Sequence, residues 1–322
     1  MTRLPRWITF ALLALTMSGA VSAPAVANGG AKNSGRPAVY TLPGATVYPE
    51  GIALDRRSGD FYVSSTTDGT IFKGNVRVAS LAPWAAGGAD GRASATGMAL
   101  DGHGRLFVAG AQTGKAFVLR TSDGSTLKAL DSNPGTSPTF VNDVALAPGY
   151  AYFTDSLRPV ILRVSRRGDT IGELEPWLDL TGTPLQYGPD FNANGIVSLA
   201  HGRLLIVVQS NTGKLFRIDT RRRRVSEIDL HGATMTNGDG LVLTGNRLYV
   251  LRNALNEIAE VKLLRDRRSG RLVRTIHSDT FMFPTTAARD GKRLLVVNAQ
   301  FDKRPTASPV LPFTVSGVSL RR

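Results

Sequence analysis

The sequence predicts an all-β fold, a six-bladed β-propeller with four strands per blade, on three observations. A short apolar motif recurs six times along the 322 residues. Each copy is followed by a turn residue and a second apolar run. The resulting units are about 45 residues long, rich in β-formers and punctuated by Gly and Asp, which is the size and composition of a propeller blade.

The motif copies are PEGIALD (49–55), TGMALD (96–101), VNDVALA (141–147), NGIVSLA (194–200), GDGLVLT (238–244) and PTTAARD (284–290). Their second residues, Gly51, Gly97, Asp143, Gly195, Gly240 and Thr286, lie 46, 46, 52, 45 and 46 positions apart. The second runs are GDFYVSS, GRLFVAG, GYAYFTD, GRLLIVV, GNRLYVL and GKRLLVV. Third strands follow in most units (KAFVLRT, PVILRVS, KLFRID), and a polar turn then leads to a fourth (STLKAL, RVSEIDL, RLVRTI). The last unit lacks a fourth strand, while PAVYTL (37–42) stands unassigned before the first. That segment is expected to complete blade six and remove an open edge. A two-layer sandwich is the competing all-β answer, and it gives no reason for six repeats.

Ahead of the blades, residues 1–27 read as a signal peptide. Arg3 and Arg6 supply a positive start, WITFALLALTMSGAV an apolar stretch, and AVA at 25–27 a small-residue cleavage site before Asn28. A retained N-terminal anchor is the alternative. The expected organisation is therefore a signal peptide over 1–27, a flexible segment over 28–36 and one propeller domain over 37–322. The expected location is secreted, extracellular or at the cell envelope. The chain has no Cys, which excludes a lipid attached through cysteine, disulfides and thiolate metal sites.

Because the first strand of a blade is innermost, all six motif starts should open on one face around the central channel. The leading residues are Glu50, Thr96, Asn142, Asn194, Asp239 and Thr285. Asn and Asp are ordinary turn formers, and one alone would be read as a turn. Four oxygen donors at equivalent positions of separate repeats converge on one axis instead. Two carboxylates and two amides suit a hard divalent cation, Ca²⁺ above all, with other divalent ions possible. Soft or zinc-type ligation does not fit a set without Cys or His.

In these residues the chain resembles the calcium-dependent six-bladed propellers that include SMP-30/gluconolactonase-type lactonases, diisopropyl fluorophosphatase and the paraoxonases. The carriers are PEGIALD, NDVAL with YFTDS, NGIV and DGLVL. The resemblance implies a metal site at Glu50, Asn142, Asn194 and Asp239, and Asp239 as catalytic base or nucleophile. It implies a hydrolase that opens a lactone or related ester. Two departures matter: the sugar lactonases carry an Arg where this chain has Phe140, and the paraoxonase-type His pair has no counterpart. His103 and His201 fall in far-face hairpins; His231 and His277 end outer strands.

Specificity is expected from loops on the motif-start face, especially residues 179–194 with Tyr187 and Phe191, either as a substrate wall or as packing. The formal charge is +14 and falls by two when Arg3 and Arg6 leave. Arg166–Arg167, Arg221–Arg224 and residues 265–271 fall between third and fourth strands, so they should form a rim on the opposite face. A solvated rim is one reading, and weak contact with anionic cell-envelope polymer the other. No nucleic-acid motif is present. Partners are thus a small lactone or ester, with no transmembrane domain in the mature protein and a monomer expected. The alternative function is a non-catalytic binding propeller with a structural metal.

Overall fold

The computed structural model describes residues 35–306 and 308–321. The signal peptide expected over 1–27 lies outside the described residues. Of the segment 28–36, only residues 35 and 36 are described.

Twenty-four strands form six four-stranded antiparallel sheets. Their innermost strands are Pro49–Leu54, Met98–Leu100, Val141–Ala147, Ala193–Leu199, Gly238–Thr244 and Pro284–Asp290, the six sequence motifs in order. The sixth sheet is completed by Val39–Leu42, which pairs antiparallel with Phe313–Ser319. The chain ends are thereby tied into one blade, as the unassigned PAVYTL segment predicted. The 3-10 turns are short, and among the described residues no helix is long and apolar enough to cross a membrane.

The hydrophobic core is not one mass but six layers, each between neighbouring blades. Phe107, Val118 and Leu130 of blade two pack on Val144, Phe153 and Leu162 of blade three, for example. The sixth layer closes the ring, with Tyr40 and Leu42 packed among Phe61, Leu295 and Phe313. Strands buried on both faces need apolar residues at successive positions, which is why LLIVV and LLVV lack a clean alternation.

Near the axis the inner strands approach so closely that side chains must be omitted. A Cβ on Gly51 would stand 2.1 Å from the Thr96 carbonyl oxygen, and one on Gly195 would stand 2.2 Å from that of Asp239. The glycines at the second motif position are therefore packing requirements between blades. Hydroxyls tie the same strands together: Ser64 Oγ donates to Thr96 O (2.9 Å), Thr154 Oγ1 to Asn194 O (2.7 Å) and Thr285 Oγ1 to Glu50 O (3.0 Å).

Candidate functional site

Five of the six inner strands slip register at the start of the motif. The breaks fall between Pro49 and Ile52, Val141 and Val144, Ala193 and Ile196, Gly238 and Leu241, and Pro284 and Ala287. Each bulge contains the leading residue: Glu50, Asn142, Asn194, Asp239 or Thr285. A β-bulge re-aims a side chain that a regular ladder would hold against the neighbouring sheet. In four of the five, all but Thr285, the leading side chain lines one cavity of about 630 Å³. Glu50, Thr96, Asn142, Asn194 and Asp239 all line it.

Two of the leading positions are committed to the scaffold. Thr285 and Thr96 direct their hydroxyls at backbone carbonyls, the latter at Val141 O (3.1 Å). The other four behave differently. Asn142 Nδ2 donates to Ser156 Oγ (2.8 Å), and that hydroxyl donates onward to Ala193 O (2.7 Å). Asn194 repeats the arrangement one blade on, with Nδ2 donating to Ser210 Oγ (3.0 Å) and Ser210 donating to Gly238 O (2.5 Å). These relays fix the amide orientation, so the Oδ1 atoms are the ones presented. Both Oδ1 atoms, and Glu50 Oε2, are buried and accept no hydrogen bond. A buried polar atom without a partner costs roughly 1–3 kcal/mol. Three of them facing one cavity form a cradle for something that supplies positive charge.

The carboxylates point the same way. Asp239 accepts from Asn253 Nδ2 at Oδ2 (2.8 Å), yet burial and the nearby Asp143 charge push its carboxyl up to about 7. Burial, then Asp239 and Asp143, hold Glu50 well above the usual carboxylate range. Asp143 lies beside Gly97, where a Cβ would meet its Oδ1 at 2.2 Å, and it accepts from the amides of Val144 (2.8 Å) and Ile196 (3.0 Å). Desolvation still raises it to about 6. Among the described residues no Lys or Arg forms an ion pair with any of the three. No group of three or more His, Cys, Asp or Glu there has metal-holding geometry either, so a cation site depends on the two amide oxygens as well as the carboxylates. The donor set fits a hard cation by chemistry: two carboxylates, two amide oxygens, and unsatisfied lone pairs on three of the four side chains.

The walls above this mouth are aromatic. Phe140 and Phe191 meet edge to face at 4.8 Å, and Phe283 and Phe301 pair at 5.9 Å. Phe191 therefore lines the cavity, but its partner is Phe140. Tyr187 donates its hydroxyl to Asp155 O (2.5 Å) and packs against the layer between blades three and four, outside the cavity lining. None of the four histidines lines the cavity. His231 lies by Asp229 (3.3 Å) and His277 by Glu257 (3.9 Å), both on outer strands or the loops after them.

Sequence reasoning left out Asn253, Ser210 and Arg304, and gave Ser156 no role beyond its place in YFTDS. Asn253 and the serines follow second strands, where no repeat marks them. The basic rim also needs a correction. Arg166 is not solvated: only 11% of its side chain is exposed, and it donates to Ala147 O (2.8 Å) and faces Asp101 (3.4 Å). Arg167 and Arg221–Arg224 are exposed as expected.

No protein-family model matches the chain, and no curated protein sequence matches it. Solved structures do. The Mala s 1 allergen of Malassezia sympodialis superposes with a TM-score of 0.64 at 18% identity, covering 88% of this chain and 96% of that one. Virginiamycin B lyase of Staphylococcus aureus gives 0.58 at 13% identity, with 88% and 98% covered. A chain of a nidogen/laminin complex gives 0.53 at 17% identity, with 71% and 80% covered. An allergen, a lyase and a component of a protein complex share this architecture, and at such identities the likeness extends to the fold alone. The chain is a six-bladed β-propeller whose bulged inner strands collect carboxylate and amide oxygens at one mouth of the channel.

Proposed function

We propose that this is an exported metal-dependent hydrolase of the SMP-30/gluconolactonase type, opening a lactone or related ester at the channel mouth. Glu50, Asn142, Asn194 and Asp239 would hold the cation, Ca²⁺ by preference. The observation that carries the reading is the set of three orphaned oxygens, Glu50 Oε2, Asn142 Oδ1 and Asn194 Oδ1, beside carboxylates that form no ion pair among the described residues. Bound there, a divalent ion supplies Lewis-acid polarisation of a carbonyl oxygen.

The chain's own residues supply the rest. Asn253 holds Asp239 Oδ2 and so fixes the carboxylate plane. Oδ1 is left to take a proton from water or to attack the carbonyl carbon. Ser156 and Ser210 keep the two amides from rotating, which prevents an N–H from being turned toward the cation site. The phenylalanine walls exclude water from one side of the cavity and select an apolar body over a polyhydroxylated one.

A second reading, a ligand-presenting propeller with a structural cation, draws support from Phe140 and from a cavity lining without histidine. Calorimetric Ca²⁺ titration of metal-stripped protein, beside Glu50→Gln and Asp239→Asn, separates these readings from none. One tight site weakened by both substitutions is the expected result. Binding indifferent to both would remove the metal mechanism. Lactone and ester turnover by wild type, lost in Asp239→Asn, then divides enzyme from binding propeller.

A further inference from the structure

Arg304 belongs to the 3-10 turn Phe301–Thr306, which leaves the second strand of blade six on the same face as the channel mouth. Among the described residues it is the one cationic side chain that lines the cavity. Its guanidinium lies over the ring of Tyr48 (4.9 Å) and that of Phe301 (5.3 Å). Nη2 donates to Thr66 Oγ1 (2.7 Å) and Thr67 Oγ1 (3.2 Å). Two rings and two hydroxyls thus hold the group still without neutralising it. Three other ordered arginines sit on carboxylates, Arg105 on Asp101, Arg252 on Glu257 and Arg293 on Asp290, and buried Arg92 donates to the carbonyls of Gly69 and Ala86 away from the cavity. Arg304 has no carboxylate partner among the described residues. With Nη2 committed to the two threonines, the Nη1 and Nε donors remain; they point to different sides of the guanidinium, so one of them takes an anion oxygen in a charge-assisted hydrogen bond.

The aromatic pairs bracket the same space. Phe140 opens blade three and Phe191 leads into blade four, while Phe283 and Phe301 flank the inner and second strands of blade six. Third and sixth blades of a six-membered ring face one another across its axis.

We propose that the cavity is built for an anionic organic molecule: Arg304 takes one of its carboxylate or phosphate oxygens, and the two phenylalanine pairs hold its apolar body. The inference deepens the hydrolase reading, on which it rests for the placement of the reacting carbonyl at Glu50, Asn142, Asn194 and Asp239. It makes the favoured substrate an ester or lactone with a negatively charged substituent.

The test is calorimetric binding of 4-phenylbutyrate and of its uncharged amide to the Ca²⁺-supplied protein, with phenyl phosphate as a second anion. Wild type should prefer the carboxylate over the amide by about tenfold or more, the usual size of a charge-assisted pair. Arg304→Gln should abolish the preference and leave Ca²⁺ affinity unchanged, and Arg304→Lys should keep part of it. Tighter binding of phenyl phosphate than of phenylbutyrate would assign Arg304 to phosphate. Phe191→Ala should weaken carboxylate and amide equally. An acid-to-amide ratio that is the same in wild type and Arg304→Gln overturns the proposal, as does the absence of any preference in wild type. If Ca²⁺ does not bind while the ratio still depends on Arg304, the hydrolase reading falls and the anion subsite stands.

Discussion

On the far face of the propeller, Asp101 is fully buried between Arg105 (2.6 Å) and Arg166 (3.4 Å), and Asp290 sits between Arg36 and Arg293 (2.8 Å). At the channel mouth Glu50 and Asp239 are as deeply enclosed, with Asp143 beside them, and no arginine or lysine pairs with any of the three. Both sets of carboxylates lie on or next to inner strands, Asp101 just after one and Asp290 at the end of another, with Glu50, Asp143 and Asp239 near the beginnings. Removing a carboxylate from water costs several kcal/mol unless a counter-charge or a proton compensates. The far face meets that cost from within the chain. The channel mouth leaves it to protons or to a cation from solution, which is the arrangement expected of a binding site rather than of a structural ion pair.

The sharpest way to break this comparison is to give the far face the same deficit. Arg105→Met would strip Asp101 of its closer partner and leave an under-compensated buried charge. A loss of about 3 kcal/mol in unfolding free energy is expected, within the range for breaking one side of a buried pair. Urea unfolding of the metal-free protein measures it. A loss below about 0.5 kcal/mol, the scale of exposed pairs, would mean that the two faces are not treated differently.

Acidity provides the second contrast. The channel carboxyls have folded-state values raised to about 7 at Asp239 and about 6 at Asp143, above the ordinary carboxylate value near 4. Their protonated forms are the ones the fold favours. The stability they contribute is therefore complete below about pH 4 and is lost as pH rises through 6 and 7. Metal-free protein should melt lower at pH 8 than at pH 5. Asp239→Asn should flatten that decline, and saturating Ca²⁺ should reverse it. Thermal unfolding with chelator and with Ca²⁺ at both pH values checks the sign. A decline that is as steep in Asp239→Asn would show that the channel groups do not cause it.

The repeats and the closing strand were legible because a blade is a local unit whose apolar runs and turns lie within about 45 residues. Leading residues were legible for the same reason, since repetition itself marked Glu50, Asn142, Asn194 and Asp239 as equivalent. What could not be read depends on distant partners. Arg166 looked like part of a solvated basic run, but Asp101, 65 positions earlier, draws it inward. Tyr187 and Phe191 looked alike in one loop, and only the position of Asp155 O beneath the loop decides that the first packs and the second faces the cavity. Arg304 stands in no repeat, and its meaning comes from Tyr48, Thr66 and Thr67 across the ring closure. Asp143 was visible as a second-position residue, yet nothing in its neighbours announced that, among the described residues, no Lys or Arg pairs with it.

The smallest effect probes how the mouth is held rather than what it holds. Ser156 receives the Asn142 amide and passes a hydrogen bond to Ala193 O, so it acts on the channel only through Asn142. Ser156→Ala deletes both bonds at a cost of about 2 kcal/mol of stability, about 1 kcal/mol net for each intramolecular hydrogen bond. The amide is then free to rotate, and about half of its orientations direct Nδ2 rather than Oδ1 into the cradle. Outer-sphere partners of this kind usually change metal affinity by about tenfold or more. Calorimetry should therefore show Ca²⁺ affinity falling by about that factor in Ser156→Ala, and by a similar factor in Ser210→Ala through Asn194. Arg105→Met, despite its larger stability loss, should leave Ca²⁺ affinity unchanged. If the serine variants lose only stability, the amides are not ligands, and the cradle reduces to Glu50 and Asp239.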